Sequence, residues 1–133
     1  MAADMAPTAT FGLSRIGQIA VVVHDVPRAV AFYRDVLGMR LLFEAPPKMA
    51  FFDCGGIRVM LSLPEGEAFD HPTTIIYYAV EDIQAAVAVL QSRGVVFETP
   101  PHLVARLPHA DLWMGFLRDP DNNPLAIMSE VAK

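Results

Sequence analysis

The stretch VVVHDVPRAVAFYRDVLGMRLLFE, residues 21–44, decides the fold, because part of it occurs a second time in the chain. The second copy, VEDIQAAVAVLQSRGVVFE, begins at residue 80. Both copies read valine, a polar residue, aspartate and an aliphatic residue, then Ala-Val-Ala, and both pass through a glycine to Phe-Glu. Aligning Asp25 with Asp82 places Gly38 against Gly94 once one residue is dropped from the second copy. An internal repeat of this kind predicts two structural modules.

Each copy lies near the start of a predicted β-α-β-β-β unit. In the first unit, residues 16–23 predict a strand, Asp25 predicts a helix N-cap, and Gly38 predicts the end of the helix. Three short strands follow at residues 40–44, 49–54 and 58–63, separated by Pro-Pro and Gly-Gly turns. The second unit repeats this order, with strands at residues 73–80, 95–99, 113–117 and 125–128 and a long loop over residues 100–111. We therefore predict a flexible tail (1–15) and one α+β domain (16–130), divided into module one (16–63), a linker (64–72) and module two (73–130).

The composition excludes several classes of function. A chain of 133 residues with 53% hydrophobic content is long enough and apolar enough for one sizeable core. The net charge of −5, without a cluster of lysines and arginines, argues against a nucleic-acid or anionic-membrane partner. The sequence has no run as long as the roughly eighteen apolar residues that a membrane span needs. A single cysteine, Cys54, favours a reducing compartment, so we predict a soluble cytoplasmic protein.

Three features occur together in this chain: Val-His-Asp-Val before Ala-Phe-Tyr-Arg-Asp-Val-Leu-Gly, the duplicated unit, and Phe-Leu-Arg-Asp-Pro-Asp-Asn-Asn-Pro-Leu near the C-terminus. In this combination the sequence resembles the vicinal oxygen chelate (VOC) superfamily over residues 16–130. That superfamily contains the glyoxalases, the bleomycin and fosfomycin resistance proteins, methylmalonyl-CoA epimerases and extradiol dioxygenases. The resemblance implies two βαβββ modules that form a cup-shaped, partly open barrel, and a homodimer. It does not imply one activity, because a fold hosts many chemistries.

In metal-dependent members, the resemblance implies one ligand from the first strand and one from the last strand of each module, typically His or Gln and Glu. Counting back seven residues from the two capping aspartates places the first-strand positions at Gln18 and Ile75. The last-strand positions are Met60, with either neighbouring residue as an alternative, and Ala126. Only Gln18 carries a donor that a hard or borderline divalent ion binds, and a neutral amide is a poor ligand alone. We therefore predict no metal and no other cofactor, which argues against glyoxalase, epimerase and dioxygenase chemistry.

The predicted cup is apolar with a few polar groups, and such a lining suits a small hydrophobic or aromatic ligand. Trp113 belongs to this lining if the side chains of its strand alternate so that Trp113 points inward. The competing interpretation is that several residues of the lining, among them Met60, Ile75 and Ala126, are ordinary core residues. The residues predicted to bind the ligand are Gln18, Met60, Ile75, Tyr77, Trp113 and Ala126, with Ala20, Ser62 and Met128 as further lining.

A second-choice site lies in the predicted long loop, where His102, Arg106 and His109 could hold an anion or a metal. Exposed loop histidines are more often solvated than functional, and His24 is predicted to face solvent. Arg58 and Tyr77 could pair with a carboxylate of a ligand, although surface and packing roles are the simpler interpretations.

Three functional hypotheses follow. The first is a metal-free VOC protein that binds a small, mostly apolar molecule in a cup between the modules. The second is an enzyme, a lactoylglutathione lyase-like lyase, an isomerase or a dioxygenase-like oxygenase, whose site uses the loop histidines or a partner chain. The third is a structural or interaction module, which a cup filled by side chains would favour.

Overall fold

Two modules with the predicted β-α-β-β-β order make up the protein. A computed structural model describes residues 11–133, so most of the predicted tail lies outside the described range. Module one consists of β1 (Gln18–Val22), α1 (Val26–Ala31), a π-helical segment (Phe32–Val36), β2 (Arg40–Ala45), β3 (Met49–Cys54) and β4 (Ile57–Ser62). Module two consists of β5 (Ile76–Ala79), α2 (Ile83–Ser92), β6 (Thr99–Arg106), β7 (Ala110–Arg118) and β8 (Pro124–Ala132). A 3₁₀ turn (Glu67–Phe69) lies in the segment that joins them.

Each module forms its own four-stranded sheet with the same topology. Sheet one has the order β1-β4-β3-β2 and sheet two the order β5-β8-β7-β6. In both, the first strand pairs in parallel with the last, and the other pairings are antiparallel. The α+β fold class predicted from the repeat is confirmed, and the two sheets are not closed into a barrel.

The two helices begin at the aspartates that define the repeat. The carboxylate of Asp25 accepts a hydrogen bond from the backbone N–H of Arg28 at 3.0 Å, and Asp82 accepts one from Ala85 at 3.1 Å. These bonds satisfy backbone donors that the first turn of a helix leaves free. The predicted caps are therefore confirmed.

The π-helical segment accounts for the one residue by which the two copies differ. The backbone N–H of Leu37 donates to the carbonyl of Phe32, five residues earlier, at 2.9 Å. A π turn holds one more residue than an α turn, and it is frequent at functional sites. Both helices end before a glycine in the left-handed region, with φ of +74° at Gly38 and +92° at Gly94.

Each helix covers one face of its own sheet. The core of module one is formed by α1 against residues of β1, β3 and β4, including Val21, Phe52 and Leu61. The core of module two packs α2 against residues such as Ile127 and Trp113. No helix among residues 11–133 is long and apolar enough to span a membrane.

The predicted strand at residues 95–99 and the loop at residues 100–111 are wrong. Most of that loop is β6, the edge strand of sheet two. The pairing of β6 with β7 shifts register between Thr99 and His102, at the place where two prolines lack backbone donors. An edge strand tolerates proline because one of its sides needs no partner, so a proline-rich sequence can still form this strand.

Candidate ligand-binding face

The candidate site lies on the face of each sheet that points away from its helix, which we call the cup face. In sheet one, Ala50, Phe52, Val59 and Leu61 are buried in the core with α1. Because side chains alternate along a strand, their neighbours point to the opposite face. The cup face of sheet one therefore carries Gln18, Ala20, Phe51, Arg58 and Met60.

The strand register places Met60 and Ala126 at equivalent points of the two modules. Ala20 pairs with Met60 across β1 and β4, and Tyr77 pairs with Ala126 across β5 and β8. Ala20 and Tyr77 lie five residues before the capping aspartates, so the two pairs correspond. The two neighbours of Met60, Val59 and Leu61, face the core, so Met60 is the one of these three residues that lies on the cup face.

The side chains at the four metal-ligand positions do not fit a divalent ion. Ile75 and Ala126 offer only hydrocarbon, and Met60 offers a thioether, which is a soft donor. The amide Nε2 of Gln18 lies 3.7 Å from the sulfur of Met60. Among residues 11–133, no group of three or more His, Cys, Asp and Glu side chains is arranged to hold a metal.

The residues predicted for sheet two divide between its faces. Tyr77 is 44% exposed, and its ring packs edge-to-face on Phe116 with the ring centroids 6.0 Å apart. Ala126, which pairs with both residues across the sheet, is fully buried. Ile75 lies just before β5 and is 38% exposed. Trp113 lies on the helix-covered face of sheet two, since it packs with the core of α2, and so it is not part of the cup face.

An arginine lies at the centre of the polar contacts on the cup face of sheet one. The Nε of Arg58 donates to the side-chain oxygen of Gln18 at 2.7 Å, and its guanidinium carbon lies 5.0 Å above the ring of Phe51. Phe51 in turn stacks on Phe43, with ring centroids 4.6 Å apart. The sequence could not indicate this stack, because Phe51 belongs to no motif and the Phe-Glu pair that ends the repeat does not show which residue Phe43 faces across the sheet.

A cavity of about 450 Å³ opens on this face between β1, β4 and the segment that joins the modules. Ala20 and Met60 contribute to its floor, and Phe69 and His71 come from the joining segment. This segment was predicted as a linker only. The one large apolar side chain of this segment, Phe69, lines the cavity and is largely exposed.

The joining segment is held to the rest of the protein through His24. Its Nε2 lies 2.7 Å from Asp70 in the segment, and its Nδ1 lies 3.2 Å from Asp121 in the turn between β7 and β8. The bond to Asp70 is the main reason that the pKa of His24 is raised above its ordinary value, and Asp121 adds to the rise. His24 is partly exposed, as predicted, but it also connects three segments.

Buried and partly buried hydrogen bonds join the two modules. The hydroxyl of Tyr33 donates to Asp119 at 2.8 Å. The side-chain amide of Asn123 donates to the carbonyl of Val22 at 2.8 Å, and its oxygen accepts from the backbone of Thr73 at 3.0 Å. These bonds fix the residue just before β8 against the end of β1 and against the segment that leads into β5.

The second-choice residues do not converge on one site. His102 lies on β6 with its Nδ1 3.0 Å from the carbonyl of Pro100, and Arg106 pairs with Asp111. His109 pairs with Glu130 at 3.0 Å. Each of the three side chains is exposed and is bonded to its own surroundings.

A further cavity of about 570 Å³ lies between the modules on their helical sides. It is lined by Met39, Cys54 and Tyr78 among other residues. Burial, and to a smaller degree the charge of Asp53, raises the pKa of the Cys54 thiol, so this cysteine is not activated as a nucleophile.

Comparison with known proteins identifies relatives along nearly the whole chain. The Bacillus subtilis protein YraH is 31% identical over 130 residues, covering 83% of this chain and 94% of YraH. The Escherichia coli protein YaeR is 27% identical over 135 residues, covering 90% of this chain and 98% of YaeR. Both are described as uncharacterized proteins, so they indicate no activity.

Solved structures show the same fold at lower identity. A lactoylglutathione lyase from Agrobacterium tumefaciens superimposes with a TM-score of 0.70 at 23% identity, covering 89% of this chain and 95% of its own. A virulence protein from Salmonella typhimurium superimposes with a TM-score of 0.73 at 20% identity, covering 91% and 100%. The model of the Glyoxalase/Bleomycin resistance protein/Dioxygenase superfamily matches residues 15–127. The chain therefore belongs to the Glyoxalase/Bleomycin resistance protein/Dioxygenase superfamily.

Proposed function

We propose that this protein binds a small, mostly apolar molecule on its cup face and does so without a divalent metal. The observation that carries the proposal is the side-chain chemistry at the four ligand positions of the family. Gln18 is the one conventional donor there, and its oxygen already accepts a hydrogen bond from Arg58. A metal at this point would have to compete for that oxygen and find its remaining ligands elsewhere.

The shape and chemistry of the cup face support a small ligand. The 450 Å³ cavity lies within the size range of small-molecule sites, and methionines at positions 49 and 60 line it. Methionine side chains adapt to ligands of irregular shape and make favourable contacts with aromatic rings. Phe51 and Tyr77 add partly exposed aromatic surface on the two cup faces. Each square ångström of apolar surface that a ligand buries there contributes about 25 cal/mol.

Native mass spectrometry of protein taken directly from its source tests the proposal. We expect an organic adduct of small mass on the intact protein, and no mass that corresponds to a metal ion. Soaking with Ni²⁺, Zn²⁺, Mn²⁺ or Fe²⁺ gives the opposing test. An ion held on the cup face by Gln18 would overturn the metal-free proposal. The same spectrum reports whether the chain is a homodimer, which stays a prediction.

A further inference from the structure

We propose that the ligand carries a carboxylate or a similar oxyanion, which Arg58 binds while Gln18 and Phe51 hold the guanidinium in place. This inference rests on the proposed function and adds the chemical class of the ligand. The sequence alone offered Arg58 only as one possible partner of a carboxylate. Its geometry in the folded chain now distinguishes it from an ordinary surface arginine.

The guanidinium is held in one orientation from two directions. Its Nε is bonded to the Gln18 oxygen at 2.7 Å, and its central carbon lies over the ring of Phe51, 5.0 Å from the ring centroid. A guanidinium has five N–H donors, and these contacts use only the one on Nε. The two terminal nitrogens, which match the two oxygens of a carboxylate, have no hydrogen-bond partner among residues 11–133.

No carboxylate of the described residues neutralises this guanidinium. None of the ion pairs within residues 11–133 includes Arg58. Its cross-strand neighbour is Asp53, but that side chain is bonded to the backbone N–H of Gly56 in the β3–β4 turn at 3.2 Å. Arg58 is therefore a positioned cation whose charge is left for a group from outside the described chain.

The cation lies within reach of the apolar cavity. Arg58 and Met60 are two residues apart on β4 and point to the same face, a separation of roughly 7 Å. Met60 lines the cavity. A flat aromatic acid can place its ring at Met60 and its carboxylate at Arg58, with Phe51 beside both. The ligand class that fits is therefore an aromatic or alicyclic carboxylic acid.

Two probes that differ only in charge test this assignment. 2-Naphthoate and 2-naphthamide have the same ring system, and binding is followed by NMR on protein labelled at its methionine methyl groups. Met49 and Met60 report the cup-face cavity, whereas Met39 reports the cavity on the helical side. We expect both probes to shift the Met49 and Met60 signals and naphthoate to bind about tenfold more tightly, since it makes charge-assisted bonds.

Three variants separate the role of Arg58 from general effects. Arg58→Gln should remove the preference for naphthoate and leave naphthamide affinity within about twofold. Gln18→Glu should also remove it, because the new carboxylate pairs with Arg58 from within the chain while the side-chain shape is kept. The matched control Arg40→Gln, on an exposed arginine that lines the other cavity, should leave the preference unchanged.

The outcomes distinguish the two proposals. If both probes bind at Met49 and Met60 with equal affinity and Arg58→Gln changes nothing, the carboxylate assignment is overturned and the proposed function stands. If neither probe shifts these signals, the proposed function fails and the assignment fails with it. Loss of the preference in Arg40→Gln instead would place the anion elsewhere and overturn the role of Arg58.

Discussion

Removing the hydroxyl of Tyr33 should measurably weaken the connection between the two modules. Tyr33 is 2% exposed, and its hydroxyl donates to the buried carboxylate of Asp119 at 2.8 Å. Burial is the largest reason that the pKa of Tyr33 is raised, followed by the charge of Asp119. The tyrosine therefore stays a neutral donor throughout the pH range in which a free tyrosine is neutral.

The magnitude follows from the remaining partners of Asp119. Its carboxylate also accepts hydrogen bonds from the backbone N–H groups of Asp121 and Asn123 and from the side chain of Asn123, each at 2.9 Å. In Tyr33→Phe, Asp119 keeps these three bonds and loses one bond to a charged acceptor, which is worth about 1.5–3 kcal/mol. Because three donors remain, we expect the lower end, about 1.5 kcal/mol in the free energy of unfolding.

Urea denaturation followed by circular dichroism measures this change. The urea concentration at the midpoint of unfolding should fall, while the dependence of the unfolding free energy on urea concentration stays constant. The melting temperature should fall by roughly 5 °C. Tyr77→Phe is the matched control, since Tyr77 is 44% exposed and should change stability by less than about 0.5 kcal/mol. A Tyr33→Phe protein as stable as the wild type, or a Tyr77→Phe protein equally weakened, would refute the reasoning.

Three further predictions concern individual side chains. Alanine at Asp25 or Asp82 should lower the free energy of unfolding by about 1 kcal/mol each through loss of the helix cap, and a cap without effect in urea denaturation would contradict this. In an NMR titration, the pKa of His24 should lie above its ordinary value and should fall in Asp70→Asn; an unchanged pKa would show that Asp70 is not its main partner. Because this pKa is raised, the His24 link stabilises the fold fully below the ordinary histidine pKa and is lost as pH rises through the raised value. Cys54 should react with a disulfide reagent at pH 7 more slowly than a free model thiol, and a faster reaction would contradict its raised pKa.

The site could be located from the sequence only along β1, β4, β5 and β8. Counting back from the two capping aspartates placed Gln18 and Ile75, because a capped helix after a strand fixes the distance from cap to strand residue. Met60 and Ala126 were placed from the last strand of each module. The phase of Trp113 could not be found in this way. No capping residue or turn of known geometry next to β7 shows which of its residues point inward, and the neighbouring β6 was itself predicted as a loop.

By itself, the sequence determined the two modules, their helix boundaries and the chemistry at the four ligand positions. These are local properties, set by repeats, capping aspartates and glycines within a few residues of each other. Only the tertiary structure decided which side chains share the cup face: Arg58 with Gln18 and Phe51, and the joining segment with β1 and β4. The bond between Arg58 and Gln18 joins residues 40 positions apart, and the joining segment meets β1 over a still longer separation. At such separations strand register and the path of the chain, rather than local preference, bring side chains together.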